Sequence, residues 1–154
     1  LTVFDGNGVM YVAEMRSYMQ DVEGTGTKTL RNGRIKRLED TNGDGCMDRV
    51  TVFVDNLNLP RMILPLDERI AVRETDTMDV FSYRDTTGDG VADEKKLLYK
   101  RGAYGRGNKQ SVEHQDSGLI WNLDNNIYIS YNIERYRFTD ENWQVEKQRG
   151  HWPP

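Results

Sequence analysis

Apolar and polar residues alternate in short runs along most of this chain, and the runs stop at Asp, Asn or Gly. Thr2-Val3-Phe4-Asp5 and Val9-Met10-Tyr11-Val12-Ala13-Glu14 flank a Gly-Asn-Gly turn. The same form returns from Met62 to Glu74 around Asp67 and from Leu119 to Tyr131 around Asp124, so the turn aspartates stand 62 and 57 residues apart. A third run follows each of these, closing at Asp40, Asp85 and Asp140, which are 45 and 55 residues apart. A fourth run completes each unit: Val50 to Val54, Lys96 to Tyr99 and, more weakly, Trp143 to Val145. β-branched and aromatic residues at period two between turn-forming residues predict strands and hairpins. No stretch keeps a 3.6-residue apolar period, so no helix is predicted.

The pattern therefore predicts three units of four short strands, with boundaries at about 1–56, 57–113 and 114–150. Four-stranded units recurring at this period mark a β-propeller. The expected fold class is all-β, a β-propeller fragment of about three four-stranded antiparallel blades. A β-sandwich is the alternative, but it gives no reason for one turn chemistry to recur three times. Within a blade, the turns joining the first two and the last two strands lie at one end, so the aspartate turns are expected on one face. Asn56 to Arg61 and Arg101 to Gly118 are expected on the other, beside the channel, and Val52 and Tyr128 are expected to be substantially buried.

Two loops carry candidate chemistry. Asp40-Thr41-Asn42-Gly43-Asp44-Gly45-Cys46-Met47-Asp48 sets oxygen-bearing side chains at positions 1, 3, 5 and 9 with Gly at 6. An EF-hand loop begins in that way, since alternate side chains point inward and the Gly permits the turn around a hard cation. Asp85, Thr87, Asp89 and Asp93 repeat the spacing, but Thr51 and Lys96 stand where the bidentate Glu of such loops would be. Calcium of modest affinity is one expectation, with Asp40, Asn42, Asp44 and Asp48 binding it more tightly than the second set. Tight hairpins closed by Asx bonds are the other.

Composition narrows the function classes. Of 154 residues, 21 are Lys or Arg and 25 are Asp or Glu, and the net charge of −4 disfavours a phosphate-backbone binder. The longest apolar run, Val9 to Ala13, falls far short of the roughly 20 residues of a membrane-spanning helix. The single Cys46 permits neither an internal disulfide nor a thiolate-cluster metal site. The chain opens Leu1-Thr2-Val3 and closes Trp152-Pro153-Pro154, and it is expected to be a piece of a longer protein.

Only two histidines are present, His114 and His151. His114 lies on the link that feeds the third unit, with Glu113, Gln115 and Asp116 beside it. A histidine oriented by a carboxylate is a general-base arrangement, and a solvated loop histidine gives the same sequence. Glu14 and Glu74 occupy equivalent strand ends, with Arg16, Arg61, Arg73 and Asn132 expected near the same rim. Guanidinium groups there suit a carboxylate-bearing cofactor, or are simply solvated rim charges. Gly102 to Asn108 is Gly-rich, but no helix start follows it to build a phosphate nest.

The run from His114 and Gln115 through Gly118, Asp124, Ile127 and Tyr128 resembles a segment of the soluble quinoprotein glucose and sorbosone dehydrogenases, which are six-bladed propellers. The whole chain is similar to the propeller part of large exported proteins of planctomycete and verrucomicrobial bacteria. Those are often labelled membrane-bound dehydrogenases and often carry a cytochrome c domain. Tyr11 to Glu14, Asp40 to Gly45, Asn58-Leu59-Pro60 and the His114 segment carry that likeness.

The resemblance implies a periplasmic or secreted enzyme oxidising a sugar or alcohol. It implies His114 as the base for the substrate hydroxyl, and hydride passing to pyrroloquinoline quinone. Arg16, Arg61, Arg73, Gln115 and Asn132 would hold the quinone, and electrons would go on to haem c. Trp152 in Gly150-His151-Trp152-Pro153 stands where the quinoprotein family has a cofactor-touching Arg, which puts the quinone site in doubt. The second expectation, of another class, is a non-catalytic, calcium-stabilised propeller binding carbohydrate or protein.

Overall fold

The structure is a computed structural model describing residues 1–18, 20, 30–75, 77, 79–100, 118–129, 134–139 and 142–147. Contacts divide the chain into two compact units, Leu1–Gln115 and Asp116–Pro154. The described residues hold twelve strands and no helix. They form three sheets of four antiparallel strands, each a meander in which sequential strands are neighbours. Repeated four-stranded meanders are the unit of a propeller, so the fold class is the one the strand pattern predicts.

The first sheet is β1 (Thr2–Phe4), β2 (Met10–Glu14), β3 (Gly33–Glu39) and β4 (Arg49–Leu57). Strict alternation puts Tyr11, Ala13 and Ile35 on one face, and all three are buried. Phe4, Met10, Leu38 and Val50 stand in register across the other face, where Phe4 and Val50 are exposed. β4 departs from alternation. Its register against β3 slips on both sides of Ile35, and adjacent Phe53 and Val54 are both buried there, as extra residues in the strand allow. Phe53 then meets Tyr11 edge to face, with ring centroids 5.3 Å apart.

The second sheet is β5 (Met62–Leu66), β6 (Arg69–Arg73), β7 (Val80–Arg84) and β8 (Glu94–Tyr99). One face, carrying Ile63, Ile70, Val72 and Tyr83, joins the covered face of the first sheet in a single apolar core. The opposite face is buried as well, with Met62, Ala71 and Ser82 each at most 2% exposed.

The third sheet, in the second unit, is β9 (Ile120–Trp121), β10 (Ile127–Tyr128), β11 (Glu134–Thr139) and β12 (Asn142–Lys147). Its inner strands are shorter than the apolar runs suggest, and Ile127 and Tyr136 are its buried pair. Val52 and Tyr128, expected to be substantially buried, are each half-buried. Val52 pairs with Lys36 on the first sheet's open face, and Tyr128 turns its hydroxyl out to Asp124.

Candidate functional site

In each sheet the meander alternates chain direction, so the β1–β2 and β3–β4 turns share one end, as do their counterparts in β5 to β8. Asp5 closes its turn by accepting the Asn7 and Val9 amides at Oδ1, 2.8 and 3.0 Å away. Asp124 does likewise for the Asn126 amide, and its other oxygen accepts the Tyr128 hydroxyl at 2.6 Å. That hydroxyl holds the Asp124 carboxyl below the ordinary aspartate range. Asp67 differs. It takes a left-handed backbone, φ 54°, in a two-residue turn between β5 and β6, and its neighbour Glu68 pairs with Arg84.

The two acidic loops share one internal geometry. Asp40 Oδ1 accepts the Asn42 and Gly43 amides and Oδ2 the Gly45 amide at 2.8 Å; Asp85 takes the Thr87, Gly88 and Gly90 amides in the same way. At the far end Asp48 accepts from the Thr41 amide and hydroxyl, and Asp93 from those of Thr86. Gly43 and Gly88 have φ 79°, and Gly45 and Gly90 have φ 87° and 88°. These bonds lower the affinity of Asp40, Asp44 and Asp93 for protons, led respectively by the Gly45 amide, the Cys46 amide and the Thr86 hydroxyl. Burial raises Asp85, but the Gly90 and Gly88 amides outweigh it and the net direction is down.

The oxygen chemistry suits a hard cation. Three of about four lone-pair positions on Asp40, however, are already taken by amides. Among the described residues no three His, Cys, Asp or Glu side chains converge as a metal centre. Asp89 Oδ1 bonds the Val91 amide and Asn42 Oδ1 the Asp44 amide, so each loop is shaped by its own backbone.

The opposite end of the first two sheets carries a second charged cluster. β4 gives way to β5 through Asn58-Leu59-Pro60, which is buried at Leu59 and Pro60. Thr75, just past β6, holds this link with its amide on the Asn58 and Leu59 carbonyls and its hydroxyl on Leu59 O at 3.0 Å. Glu74, its side chain only 8% exposed, accepts the Asn58 amide and a two-pronged contact from Arg31 Nη2 at 3.0 and 3.2 Å. Arg31 Nε reaches Asn56 O at 3.0 Å. Glu14, at the equivalent strand end, pairs with Arg34 and Lys36 at 2.6 and 2.7 Å, and the Lys36 bond leads in lowering its pKa.

Of the residues expected to hold a quinone, Arg16 is exposed after β2 and Arg61 is half-buried before β5. Arg73 stands at the end of β6 and is fully buried there, where its Nε donates to Thr77 O at 2.8 Å and Nη1 lies 3.9 Å from Met62 Sδ. His114, Gln115 and Asn132 lie outside the described residues. Of that set, the described residues that keep exposed surface are Arg16 and, in part, Arg61. Nothing local in the sequence points to Arg31, because its partner Glu74 is 43 residues away. The one signal was that Glu74 ends an apolar strand.

A shallow groove of about 270 Å³ runs beside β4, lined by Val52, Tyr83, Ala92 and Lys95 among others. Its size is below the roughly 300–1,000 Å³ of ligand pockets. Lys95 Nζ sits 4.2 Å over the Phe81 ring there and 5.2 Å over that of Tyr83.

Residues 1–151 match the family model described as "Domain of unknown function (DUF7133)". The chain belongs to that family. No curated protein matches this DUF7133 chain. No helix of its described residues is long and apolar enough to cross a membrane.

Proposed function

We propose that this DUF7133 chain is the scaffold-and-base segment of a quinoprotein-like dehydrogenase propeller, exported to the periplasm or beyond, that oxidises a sugar or alcohol. The observation that carries the reading is the repeated four-stranded meander, taken with the family likeness of the His114 segment. β8 ends opposite its acidic loop, and the chain runs from there through the His114-Gln115 segment to β9. His114 takes the proton of the substrate hydroxyl in this reading. A quinone, when bound, would supply the hydride acceptor, with contacts from Arg16, Arg61 and residues outside the described set, and a haem c partner would take the electrons. Calcium in the Asp40 loop, and more weakly in the Asp85 loop, belongs to the same proposal as a structural ion remote from the chemistry.

The burial of Arg73 and the closure of Glu74 by Arg31 favour the second reading, a non-catalytic propeller that binds carbohydrate or protein. One experiment separates the two. Pyrroloquinoline quinone is titrated into the longer propeller with calcium present, beside His114→Ala, following cofactor absorbance and dye reduction by sugars. Saturable binding with dye reduction that the variant loses establishes the dehydrogenase. Absence of binding moves the function to the second reading. Calorimetry should show calcium uptake that Asp44→Ala weakens, and uptake unchanged in that variant would remove calcium from the Asp40 loop.

A further inference from the structure

The groove beside β4 combines a fixed wall, a buried hydroxyl and a cation without a counter-charge. The Ala92 amide donates to Phe53 O at 2.9 Å and the Thr51 hydroxyl to Gly90 O at 3.1 Å, so β4 and the segment entering β8 are pinned together and the groove between them is preformed. Val54, Val91 and Ala92 supply its apolar lining. Tyr83 reaches it from β7 with only 6% of its surface exposed. Burial raises the pKa of the Tyr83 hydroxyl above the ordinary tyrosine value, and the Lys95 ammonium beside it offsets this only in part, so the hydroxyl keeps its proton and can donate. Lys95 itself lies over the Phe81 and Tyr83 rings and makes no ion pair among the described residues. The carboxylates along the groove are engaged elsewhere. Asp93 accepts the Thr86 amide and hydroxyl, Glu94 pairs with Lys96 at 2.9 Å, and Asp55 Oδ1 accepts the Asn56 amide.

We propose that this groove binds a small monocarboxylate with a short apolar body, whose carboxylate accepts from Lys95 Nζ and the Tyr83 hydroxyl while its carbons lie along Val54, Val91 and Ala92. Two donors of this kind side by side answer an anionic oxygen pair, and the apolar lining answers a hydrocarbon chain. Asp55, exposed on the β4 side, repels a second negative charge, which selects a monocarboxylate over a dicarboxylate. A volume of about 270 Å³ holds such a molecule, although it is short of what a drug-sized ligand fills. Neither Lys95 nor Tyr83 belongs to the residues expected to hold a quinone or calcium, so this site stands or falls apart from the proposed dehydrogenase.

The test titrates hexanoate into the isotope-labelled 154-residue chain and follows backbone amide shifts by NMR. Hexan-1-ol, without the charge, and adipate, with a second one, are the controls of equal chain length. Saturable shifts at Val54, Ala92 and Lys95 are expected with hexanoate, and binding of either control should be weaker by roughly tenfold or more, as loss of a hydrogen bond to a charged group implies. Lys95→Gln should weaken hexanoate by about the same factor, and Tyr83→Phe by less. Lys95 is exposed, so its variant should keep the melting temperature of the parent chain and isolates binding from folding. Chemical acetylation gives an independent reading: hexanoate should slow modification of Lys95 and leave that of Lys96 unchanged. Shifts that grow linearly without saturation, or equal hexanoate binding by Lys95→Gln, overturn the site. Hexan-1-ol binding as tightly as hexanoate overturns the carboxylate assignment, and adipate binding as tightly overturns the choice of a monocarboxylate.

Discussion

The Asp40 and Asp85 loops are built alike and do different things. Both wrap a first aspartate in three amides, tie the last aspartate to a threonine, and place two glycines at the same positive φ. The first stands in solvent from Thr41 to Cys46. The second is pressed on the neighbouring sheet, where Gly90 is buried and a Cβ added to it would lie 2.9 Å from Thr51 Oγ1 and 3.3 Å from Arg37 Nη1. Local sequence builds the loop, and the neighbour gives it a job. A shared spacing of aspartates is thus evidence of a shared turn, and the second loop has a mechanical role besides.

The sharpest way to break this comparison is to put a methyl group on the matched glycines. Ala at either position meets the left-handed backbone penalty of about 1–2 kcal/mol. Gly45→Ala should cost only that, whereas Gly90→Ala also has to displace the stiff Thr51 side chain and should total about 3 kcal/mol. Urea unfolding of the two variants measures the gap. Equal losses would mean that the second loop is not clamped.

The matched glutamates sharpen it next. Glu74 is buried and satisfies the Asn58 amide and Arg31, so Glu74→Gln should destabilise by about 2 kcal/mol. Glu14 faces solvent on the first sheet with its side chain 24% exposed, and Glu14→Gln should cost less than about 1 kcal/mol. A reversed order in thermal melts would show that the Asn58-Leu59-Pro60 link is not held by Glu74.

Much of this fold was legible in the sequence because strands and turns are short-range features. The alternation in Met10 to Glu14 and Val80 to Arg84, and the Asp-Gly turns between strands, mark the elements within a residue or two. The apolar run predicts an end to β4 at Val54, but the strand runs to Leu57, because its irregular register against β3 is set by a partner strand. The acidic loops were legible as turns. Their difference was not, since Thr51 and Gly90 are 39 residues apart and nothing local distinguishes Gly90 from Gly45. The burial of Arg73 is hidden for a related reason: a charge at a strand end looks solvated until the face it points from is known to be covered. The quinone site rests on the His114 segment and a family likeness, and alternation along strands carries no information about a link.

A smaller effect tests the clamp itself. Thr51→Val keeps the side-chain volume and removes the hydroxyl that bonds Gly90 O at 3.1 Å, a loss of about 1 kcal/mol. Hydrogen exchange at the Ala92 amide, which donates to Phe53 O, should quicken, while the Cys46 amide, bonded within its own loop to Asp44, should not change. If both amides quicken together, the variant has loosened the whole sheet and the loop-specific clamp fails.

Acid should act on both loops in the same direction and with the smallest effect. Asp40, Asp44, Asp85 and Asp93 all have folded-state pKa values below their ordinary ones, so the unfolded chain binds more protons than the folded chain as pH falls. Their contribution is therefore present in full above the unfolded aspartate pKa of about 4 and is lost as pH drops through the lower folded values. Asp40→Asn and Asp85→Asn should each flatten the fall in urea midpoint between pH 5 and pH 3, whereas only Asp85→Asn should also quicken exchange at the Ala92 amide. That second readout separates a loop that merely folds on its own carboxylate from one whose carboxylate holds two sheets together. If Asp40→Asn quickened Ala92 as much as Asp85→Asn did, the two loops would be energetically one, and the contrast between them would lie in exposure alone.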